Sequence, residues 1–381
     1  MKPKMLFLCV YAITLFHNAG VKGQSIAKFA PPEGKILLII GQDLGAIGGF
    51  ATPNNNGYID HINIRPGGIT TYSSLPSLGG LSENTNYGSG DICSQCIIAN
   101  VSYSNSALAI GLYMVNQEKY IAEGNLDVHL KILGKWIKDT NRPIFLRIGY
   151  EFDGNWNHYN PSDYKKSFQR IVKIFDTLQV KNCAMVWQAC TSPVDDIIEG
   201  GKHENINDWY PGDEYVDWVG YSWFLNSTKQ VELTDEVVDF ARAHKKPVMV
   251  CESSPQGYDL LNLTRRNIVA ILDGPSGTGI KNKTPEEIWN EWYLPYFNYI
   301  EKNKDVIKVV AYINANWDAQ PMWGAPYKDG YWGDTRVEVN PYIKKKWMEF
   351  ITQEKWLHAS PGLFQQLGFT KEVRGAGYKS R

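Results

Sequence analysis

The amino-acid sequence predicts an α/β protein that forms a single (β/α)8 barrel, a TIM barrel, with long loops in its N-terminal units. Eight short apolar segments occur between residues 36 and 317, and amphipathic helical patterns lie between them. The length of 381 residues would accommodate one large barrel or two ordinary domains, but no linker rich in Pro, Gly or Ser divides the chain. Eight buried strands that alternate with helices over about 320 residues fit a barrel better than a doubly wound sheet.

The strands are expected where apolar residues run continuously, because the parallel strands of a barrel are buried on both faces. Most of the eight segments have this continuous character. In chain order they are Ile36–Leu44, Ile69–Leu75, Ala107–Met114, Pro143–Tyr150, Cys183–Ala189, Val216–Phe224, Pro247–Ser253 and Val309–Trp317. Proline at the start of the fourth and the seventh segment is typical of a turn that leads from a helix into a strand.

The helices are expected where apolar residues recur every three or four positions. One such pattern comprises Leu126, Leu130, Leu133 and Ile137. The next comprises Tyr164, Phe168, Ile171, Phe175 and Leu178, with Ser162 as the expected N-cap. Residues 45–100 are rich in Gly, Asn and Ser and poor in helical signal, so the long loops are expected there. Residues 352–381 are expected to form a final helix and a tail.

The first 23 residues have the pattern of a secretory signal peptide. Lys2 and Lys4 form a basic start, and Met5–Phe16 is an apolar run too short to span a bilayer. Cleavage is expected near Gly23, which leaves residues 24–381 as the mature catalytic domain. Asn-x-Ser/Thr sequons also favour a secreted glycoprotein; they lie at Asn100, Asn226, Asn262 and Asn282. No later segment has the length of a membrane helix, so no membrane association is expected.

Charge and composition indicate which partners to expect. A formal net charge of −1 produces no global field that would attract nucleic acid or an anionic membrane. Aromatic residues make up 13% of the chain, with 13 Trp and 22 Tyr. Two interpretations of this content remain open: a large core rich in rings, or a groove whose flat apolar faces match those of sugar rings.

Five cysteines remain once Cys9 is removed with the signal peptide. An oxidising compartment favours a bridge between Cys93 and Cys96. Cys183 and Cys190 lie at the two ends of one predicted strand, roughly 23 Å apart at about 3.3 Å per residue, so they should not pair. Because the number is odd, at least one thiol stays free. No second ligand pair lies near Cys93 in the sequence, so no metal site is expected.

A glutamate closes the fourth and the seventh predicted strands, at Glu151 and Glu252. In a (β/α)8 barrel the active site lies at the C-terminal ends of the strands, and these two strands face each other across a narrow bore. Hydrolysis of a glycosidic bond needs two carboxyl groups, which retaining enzymes hold roughly 5–5.5 Å apart. We therefore expect Glu151 to be the general acid/base and Glu252 the nucleophile. The alternative is that each acid only caps its strand or pairs with Arg147.

The same segments resemble those of glycoside hydrolase family 26, whose members are largely endo-acting mannanases with some β-1,3-xylanases and lichenases. Arg147 lies four residues before Glu151, as in the family's motif on strand four, and the Gly and Trp positions that follow also fit. Residues 209–220 are similar to the family's approach to strand six, and Pro247–Glu252 resembles its nucleophile strand. The resemblance covers residues 107–320.

This resemblance implies a double displacement that retains the anomeric configuration, with Glu151 as acid/base and Glu252 as nucleophile. It also implies that Arg147 braces the two carboxylates. Trp156 and Trp317 would line the sugar subsite.

Two positions depart from the family pattern. The mannanases usually have His immediately before the acid/base, where this chain has Tyr150. They also have a Tyr that touches the nucleophile at the end of strand six, where the matching residue is Phe224. Both changes lie in the subsite that reads the sugar hydroxyls, so they count against mannan as the substrate. Tyr150, Tyr221 and Trp223 are expected to bind substrate, and for Trp223 a place in the barrel core remains open.

The sequence thus predicts a secreted, retaining, endo-acting hydrolase of a β-linked polysaccharide, of mannan type or a related β-glycan. It is expected to be a monomer without a cofactor. Endo action is inferred from aromatic residues spread along several loops. The sequence contains no zinc-protease, P-loop or esterase motif. A first alternative is the same barrel acting on β-1,3-xylan, a β-glucan or a sulfated algal glycan. A second, of another class, is a barrel that binds glycans as a lectin without catalysis.

Overall fold

A closed barrel of parallel strands forms the centre of the protein, as predicted. The computed structural model describes residues 27–50, 57–191, 203–266, 279–328 and 330–371. The barrel strands are β1 (Ile36–Gly41), β2 (Gly68–Ser74), β3 (Ala107–Tyr113), β4 (Ile144–Ile148), β5 (Cys183–Gln188), β6 (Trp218–Trp223), β7 (Val248–Ser253) and β8 (Ile307–Ile313). Each strand pairs with the next, and β8 pairs with β1 to close the barrel. Every predicted apolar segment overlaps one of these strands.

Helices cover the outer face of the barrel. The longer ones are Asp127–Thr140, Pro161–Thr177, Thr228–Ala243, Leu294–Lys302 and Pro341–Ile351. Short helices span Leu44–Ile47, Tyr58–Ile62, Ser94–Ala99, Glu118–Glu123, Pro285–Ile288 and Leu363–Gln366, with a π-helical turn at Trp289–Tyr293. Short 3-10 turns lie at Val101–Tyr103, Asn155–Asn157, Ile206–Asp208 and Trp317–Ala319. Within the described ranges, no helix is long and apolar enough to cross a membrane.

The helix after β4 begins at Pro161, and its N-cap is Asn160 rather than the expected Ser162. The Asn160 side chain accepts hydrogen bonds from the backbone N–H groups of Ser162 and Asp163, at 3.0 and 3.2 Å. Proline is favoured at the first helical position because its fixed φ suits a helix and the missing N–H would have no partner there. The Asn-Pro pair therefore sets the start of this helix.

An apolar plug fills the N-terminal end of the barrel. It combines inward-facing strand residues with residues from both ends of the described chain. Its larger members are Phe29, Leu37, Phe145, Trp218, Met249, Leu363 and Phe364. The short strand Trp356–Leu357 adds to β1 at the same end, and the predicted final helix is the single turn Leu363–Gln366. The opposite, C-terminal end of the barrel interior is where the polar network of Arg147, Gln188, Ser222 and Glu252 lies.

The long loops lie where they were predicted, between β1 and β3. The loop after β2 contains a small hairpin of Thr85–Asn86 with Asp91–Ile92. A disulfide joins Cys93 and Cys96, as expected. Cys183, Cys190 and Cys251 are free thiols. A further small sheet after β7 consists of Tyr258–Asp259, Thr264–Arg265 and Lys281–Asn282. The predicted signal peptide, residues 1–23, lies outside the described residues.

Candidate active site

Glu151 lies in the turn that follows β4, at the C-terminal end of the barrel. Its φ of 52° is in the left-handed region, where a residue with a side chain is strained by roughly 1–2 kcal/mol. Asn157 holds this backbone, because its side-chain amide donates to the carbonyls of Tyr150 at 3.1 Å and of Glu151 at 2.7 Å. The turn thus fixes the position of the Glu151 carboxyl group, and the residue is only 8% exposed.

A β-bulge sets the direction of Glu252 in β7. In the pairing of β6 with β7, Tyr221 lies opposite Val250 but Ser222 lies opposite Glu252, so Cys251 is an extra residue. Val250 packs against the outer helices. If side chains alternated strictly along β7, Glu252, two residues later, would also face outward. The bulge instead aligns Glu252 with Ser222, whose side chain faces the barrel interior.

Arg147 and Tyr72 both bind the carboxylate of Glu252. Arg147, on β4, is completely buried, and its Nη1 donates to Oε1 of Glu252. The hydroxyl of Tyr72, on β2, lies 3.1 Å from the same oxygen and 2.9 Å from Oε1 of Gln42. Because arginine stays charged when buried, it needs an anionic partner. Glu252 is that partner, which agrees with the expectation that Arg147 pairs with a carboxylate of the site.

A chain of hydrogen bonds links the two glutamates through the barrel interior. Nη1 of Arg147 also lies 3.1 Å from Oε1 of Gln188. The Gln188 amide donates to Oγ of Ser222 at 3.1 Å, and that hydroxyl donates to Oε1 of Glu151 at 2.7 Å. This chain of hydrogen bonds restricts where both carboxyl groups can lie.

The two glutamates have different electrostatic environments. Burial, followed by the charge of Glu252, raises the pKa of Glu151 from 4.5 to about 8, against the opposing effect of the hydrogen bond from Ser222. The protonated form of Glu151 is therefore favoured more than that of an ordinary glutamate. Glu252 is instead joined directly to the Arg147 guanidinium. Acid-assisted bond cleavage requires two carboxyl groups whose environments differ, so that one donates a proton and the other acts as a carboxylate.

Asp153 connects two loops beside the site. Its Oδ1 accepts a hydrogen bond from the backbone N–H of Cys190, which follows β5. Burial raises the pKa of Asp153 from 3.8 to about 7. Because the carboxyl group is used to hold backbone, we assign Asp153 a structural part in the site.

Aromatic rings enclose the Arg147 guanidinium. Its Cζ atom lies 5.0 Å from the ring centre of Tyr72 and 5.3 Å from that of Tyr150. The two tyrosine rings meet edge to face at 5.5 Å, and Tyr113 is 6.5 Å from Tyr150. Burial raises the pKa of Tyr72 and of Tyr150, so both phenols stay neutral. The structure thus places Tyr150 within the site.

Trp156 and Trp317 lie in contrasting environments at the rim. Trp156, in the turn Asn155–Asn157, is 47% exposed. Trp317, which follows β8, is 3% exposed, packs at 4.7 Å against the ring of Trp332 and donates its Nε1–H to Thr335. Trp156 thus exposes about half of its side chain at the rim, whereas Trp317 offers little surface and mainly supports the rim.

Tyr221 and Trp223 lie outside the site, and the expectation that they bind substrate is wrong. Both are at most 2% exposed and belong to the apolar layer between barrel and helices. Their rings pack on Tyr299, at 6.5 Å from Tyr221 and 4.7 Å from Trp223. Strand alternation explains the error: Ser222 between them faces inward, so its neighbours face the helices. The question left open for Trp223 is answered in favour of the core.

Four residues of the network were not identified from the sequence: Gln42, Tyr72, Gln188 and Ser222. Gln188 ends β5 and Gln42 directly follows β1, so inspection of every strand end would have found both. Tyr72 and Ser222 lie inside strands. No sequence signal marks them, because their direction depends on strand alternation and on the bulge in β7.

Comparison with known proteins gives a consistent family assignment. The model of glycosyl hydrolase family 26 matches residues 113–260. A β-1,3-xylanase of Alcaligenes sp is 36% identical over 97% of this chain and 73% of that protein. A β-1,3-xylanase of Vibrio sp is 36% identical over 96% of this chain and 74% of that protein.

Solved structures share the fold. A GH26 β-mannanase of Bacteroides ovatus has a TM-score of 0.52 and 14% identity, and the match covers 91% of this chain and 95% of that one. An endo-β-1,4-mannanase of Cellulomonas fimi has a TM-score of 0.56 and 14% identity, with 87% and 74% covered. At such identities the likeness shows the fold alone. The assignment rests on the relatives that are 36% identical over nearly the whole chain, and from these we conclude that the chain belongs to glycosyl hydrolase family 26.

Proposed function

We propose that the protein is a retaining, endo-acting hydrolase of a β-linked polysaccharide, and that its substrate is β-1,3-xylan. The observation that carries the proposal is the pair of buried glutamates, of which Glu151 has a raised pKa and Glu252 is joined to Arg147. The choice of polymer follows the two relatives that match nearly the whole chain, both named β-1,3-xylanases. Tyr150 and Phe224, which depart from the mannanase pattern, favour this alternative over mannan.

In the first step Glu151 donates its proton to the glycosidic oxygen while Glu252 attacks the anomeric carbon. The bond from that carbon to the leaving oxygen breaks, and an ester bond to Glu252 forms. In the second step Glu151 takes a proton from a water molecule that attacks the same carbon, and Glu252 leaves as a carboxylate. Esterification removes the charge of Glu252, which is one of the causes that raise the pKa of Glu151. The pKa of Glu151 therefore falls in the intermediate, as a base requires.

Arg147 acts on the nucleophile in both steps. Its guanidinium is completely buried and binds Oε1 of Glu252. A charge-assisted hydrogen bond between buried side chains orients the carboxylate for attack and stabilises it when the ester is hydrolysed.

Exposed aromatic side chains support endo action in an open groove. Trp156 after β4 and Tyr113 at the end of β3 are both more than 40% exposed. So is Tyr87, whose hydroxyl lies 3.0 Å from Oγ of Ser74 at the end of β2. Aromatic faces pack well against the apolar faces of sugar rings. Their spread over three neighbouring strand ends would accommodate several sugar units.

We also propose that residues 24–381 are the mature domain of a secreted, glycosylated monomer. The four sequons support the secretory route. Asn262 and Asn282 are exposed, whereas Asn100 and Asn226 are partly buried. Glycans are therefore expected on Asn262 and Asn282, and mass spectrometry of the secreted protein before and after deglycosylation would locate them.

The experiment that tests the function is digestion of a polysaccharide panel containing β-1,3-xylan, β-1,4-xylan, β-1,4-mannan and mixed-linkage β-glucan. New reducing ends report cleavage, and the chain lengths of early products separate endo from exo action. Glu252→Gln and Glu151→Gln should abolish cleavage of the polymer that the wild type cuts. Glu354→Gln is the matched control, because the Glu354 side chain is 97% exposed.

Two outcomes would contradict the proposal. Cleavage of mannan but not of β-1,3-xylan would reject the proposed substrate and retain the mechanism. Binding of a polymer with no cleavage of any would favour the lectin alternative, against which the presence of both glutamates argues.

A further inference from the structure

Tyr72, whose hydroxyl donates a hydrogen bond to Glu252, lies on a distant part of the barrel wall. Glu252 is on β7 and Tyr72 is on β2, and strands β8 and β1 lie between them. The phenol oxygen is 3.1 Å from Oε1 of Glu252, the oxygen that Arg147 also binds. The contact does not result from pairing of adjacent strands, because β2 and β7 are not neighbours in the barrel. It exists because the Tyr72 side chain reaches across the interior.

Three neighbours fix the direction of the Tyr72 ring. Oε1 of Gln42 lies 2.9 Å from the phenol oxygen, and the ring of Tyr150 meets the Tyr72 ring edge to face at 5.5 Å. Gly111, on β3, leaves room for both the ring and Arg147, because a Cβ at this position would lie 2.6 Å from the Tyr72 ring and 2.7 Å from the Arg147 guanidinium. The phenol is therefore held in place independently of Glu252.

The sixth strand supplies no such donor. Phe224 directly follows β6 and has no hydroxyl group. Its ring packs at 4.8 Å against Trp332, within the aromatic cluster at the rim. The phenol that contacts the nucleophile is therefore on the second strand of this barrel.

We propose that Tyr72 is the positioning residue of the nucleophile, and that Oε2 of Glu252 is the oxygen that attacks the anomeric carbon. This inference rests on the proposed function. Tyr72 and Arg147 both bind Oε1, and no hydrogen bond within the described part of the chain engages Oε2. Oε2 is thus the oxygen left to form the ester bond. When that bond breaks, the electron pair returns to the carboxylate, and the phenol stabilises the returning charge.

Tyr72→Phe tests the proposal because it removes one oxygen atom and keeps the ring that packs on Tyr150. We expect kcat to fall about 10- to 100-fold, the range for one hydrogen bond to a charged group, with KM changed less than about twofold. A merely structural role would lower stability without this split between kcat and KM. A phenol has one proton to donate, and Oε1 of Gln42 competes with Glu252 for it. Gln42→Ala leaves that proton to Glu252 alone, so it should not lower kcat.

Tyr103→Phe is the matched control. Its phenol is also buried but donates to the backbone carbonyls of Ile47 and Gly48, so its removal should lower stability and leave kcat and KM unchanged. A folded Tyr72→Phe protein with wild-type kcat would overturn the proposal and leave the function intact. If Tyr72→Phe does not fold, a loss of kcat of about 10- to 100-fold in folded Gln42→Ala overturns the proposal in its place, because the phenol would then act on Gln42 and not on the nucleophile. A wild type that cleaves no polymer would overturn the function and this inference together.

Discussion

Removal of either charge from the Arg147–Glu252 pair should destabilise the fold strongly, because the structure buries both side chains. Their exposed fractions are 0% for Arg147 and 9% for Glu252. Breaking a buried pair by removing one partner costs about 3–5 kcal/mol, since the remaining charge has no counter-ion. Arg147→Met and Glu252→Gln should therefore each lower the free energy of unfolding by about that amount.

The double variant should cost much less than the sum of the two single changes. No charge is left unpaired in it, so an interaction energy of about 3 kcal/mol or more is expected from the cycle. Contacts that methionine loses with Tyr72 and Tyr150 occur in both arms of the cycle and cancel. The assay is urea unfolding of the four proteins at pH 7, with ΔG obtained by linear extrapolation.

An exposed pair provides the control for this cycle. Lys346 and Glu349 are 3.0 Å apart with side chains 35% and 45% exposed, and their coupling should be below about 1 kcal/mol. Additivity of Arg147→Met and Glu252→Gln within about 0.5 kcal/mol would refute the reasoning. It would mean that the two charges are solvated independently and that Arg147 does not hold the nucleophile.

Two further expectations concern pH and the aromatic rim. With the pKa of Glu151 raised from 4.5 to about 8, kcat/KM should fall as pH rises through about 8, and Ser222→Ala, which removes a donor to the ionised form, should move this limb to higher pH. The raised pKa contributes stability that is fully present below about pH 4.5 and is lost as the pH rises to about 8. Glutamine does not titrate, so Glu151→Gln should lose less stability than the wild type across that pH range in urea unfolding. Trp156→Ala should raise KM without changing Tm, because the side chain is 47% exposed. Trp317→Ala should cost about 3–5 kcal/mol of stability, as expected for a buried tryptophan. Equal effects of the two substitutions on KM and Tm would contradict the roles assigned to them.

The sequence predicted the fold well because the barrel strands are buried on both faces. Continuous apolar runs are a strong signal, and all eight were found. Glu151 and Glu252 were found for a related reason, since a charged residue that ends an apolar run is conspicuous. Helix boundaries were less certain, as the start at Asn160 and Pro161 shows.

The direction of side chains within strands could not be predicted to the same degree. Tyr221 and Trp223 were assigned to the groove although they pack against the helices. The bulge at Cys251 leaves no mark in the sequence, yet without it Glu252 would face outward. Tyr72 was missed because its contact with Glu252 joins residues 180 positions apart, and only the closed barrel brings them together.

The most direct test of the two-glutamate mechanism is to trap the covalent intermediate. A 2-deoxy-2-fluoro glycosyl fluoride, built on the disaccharide unit of the polymer that the wild type cuts, should inactivate the enzyme with time. Peptide mass spectrometry should then find one sugar adduct, on Glu252. An adduct on another residue, or continued cleavage by an enzyme that forms no adduct and releases the inverted anomer first, would contradict the account.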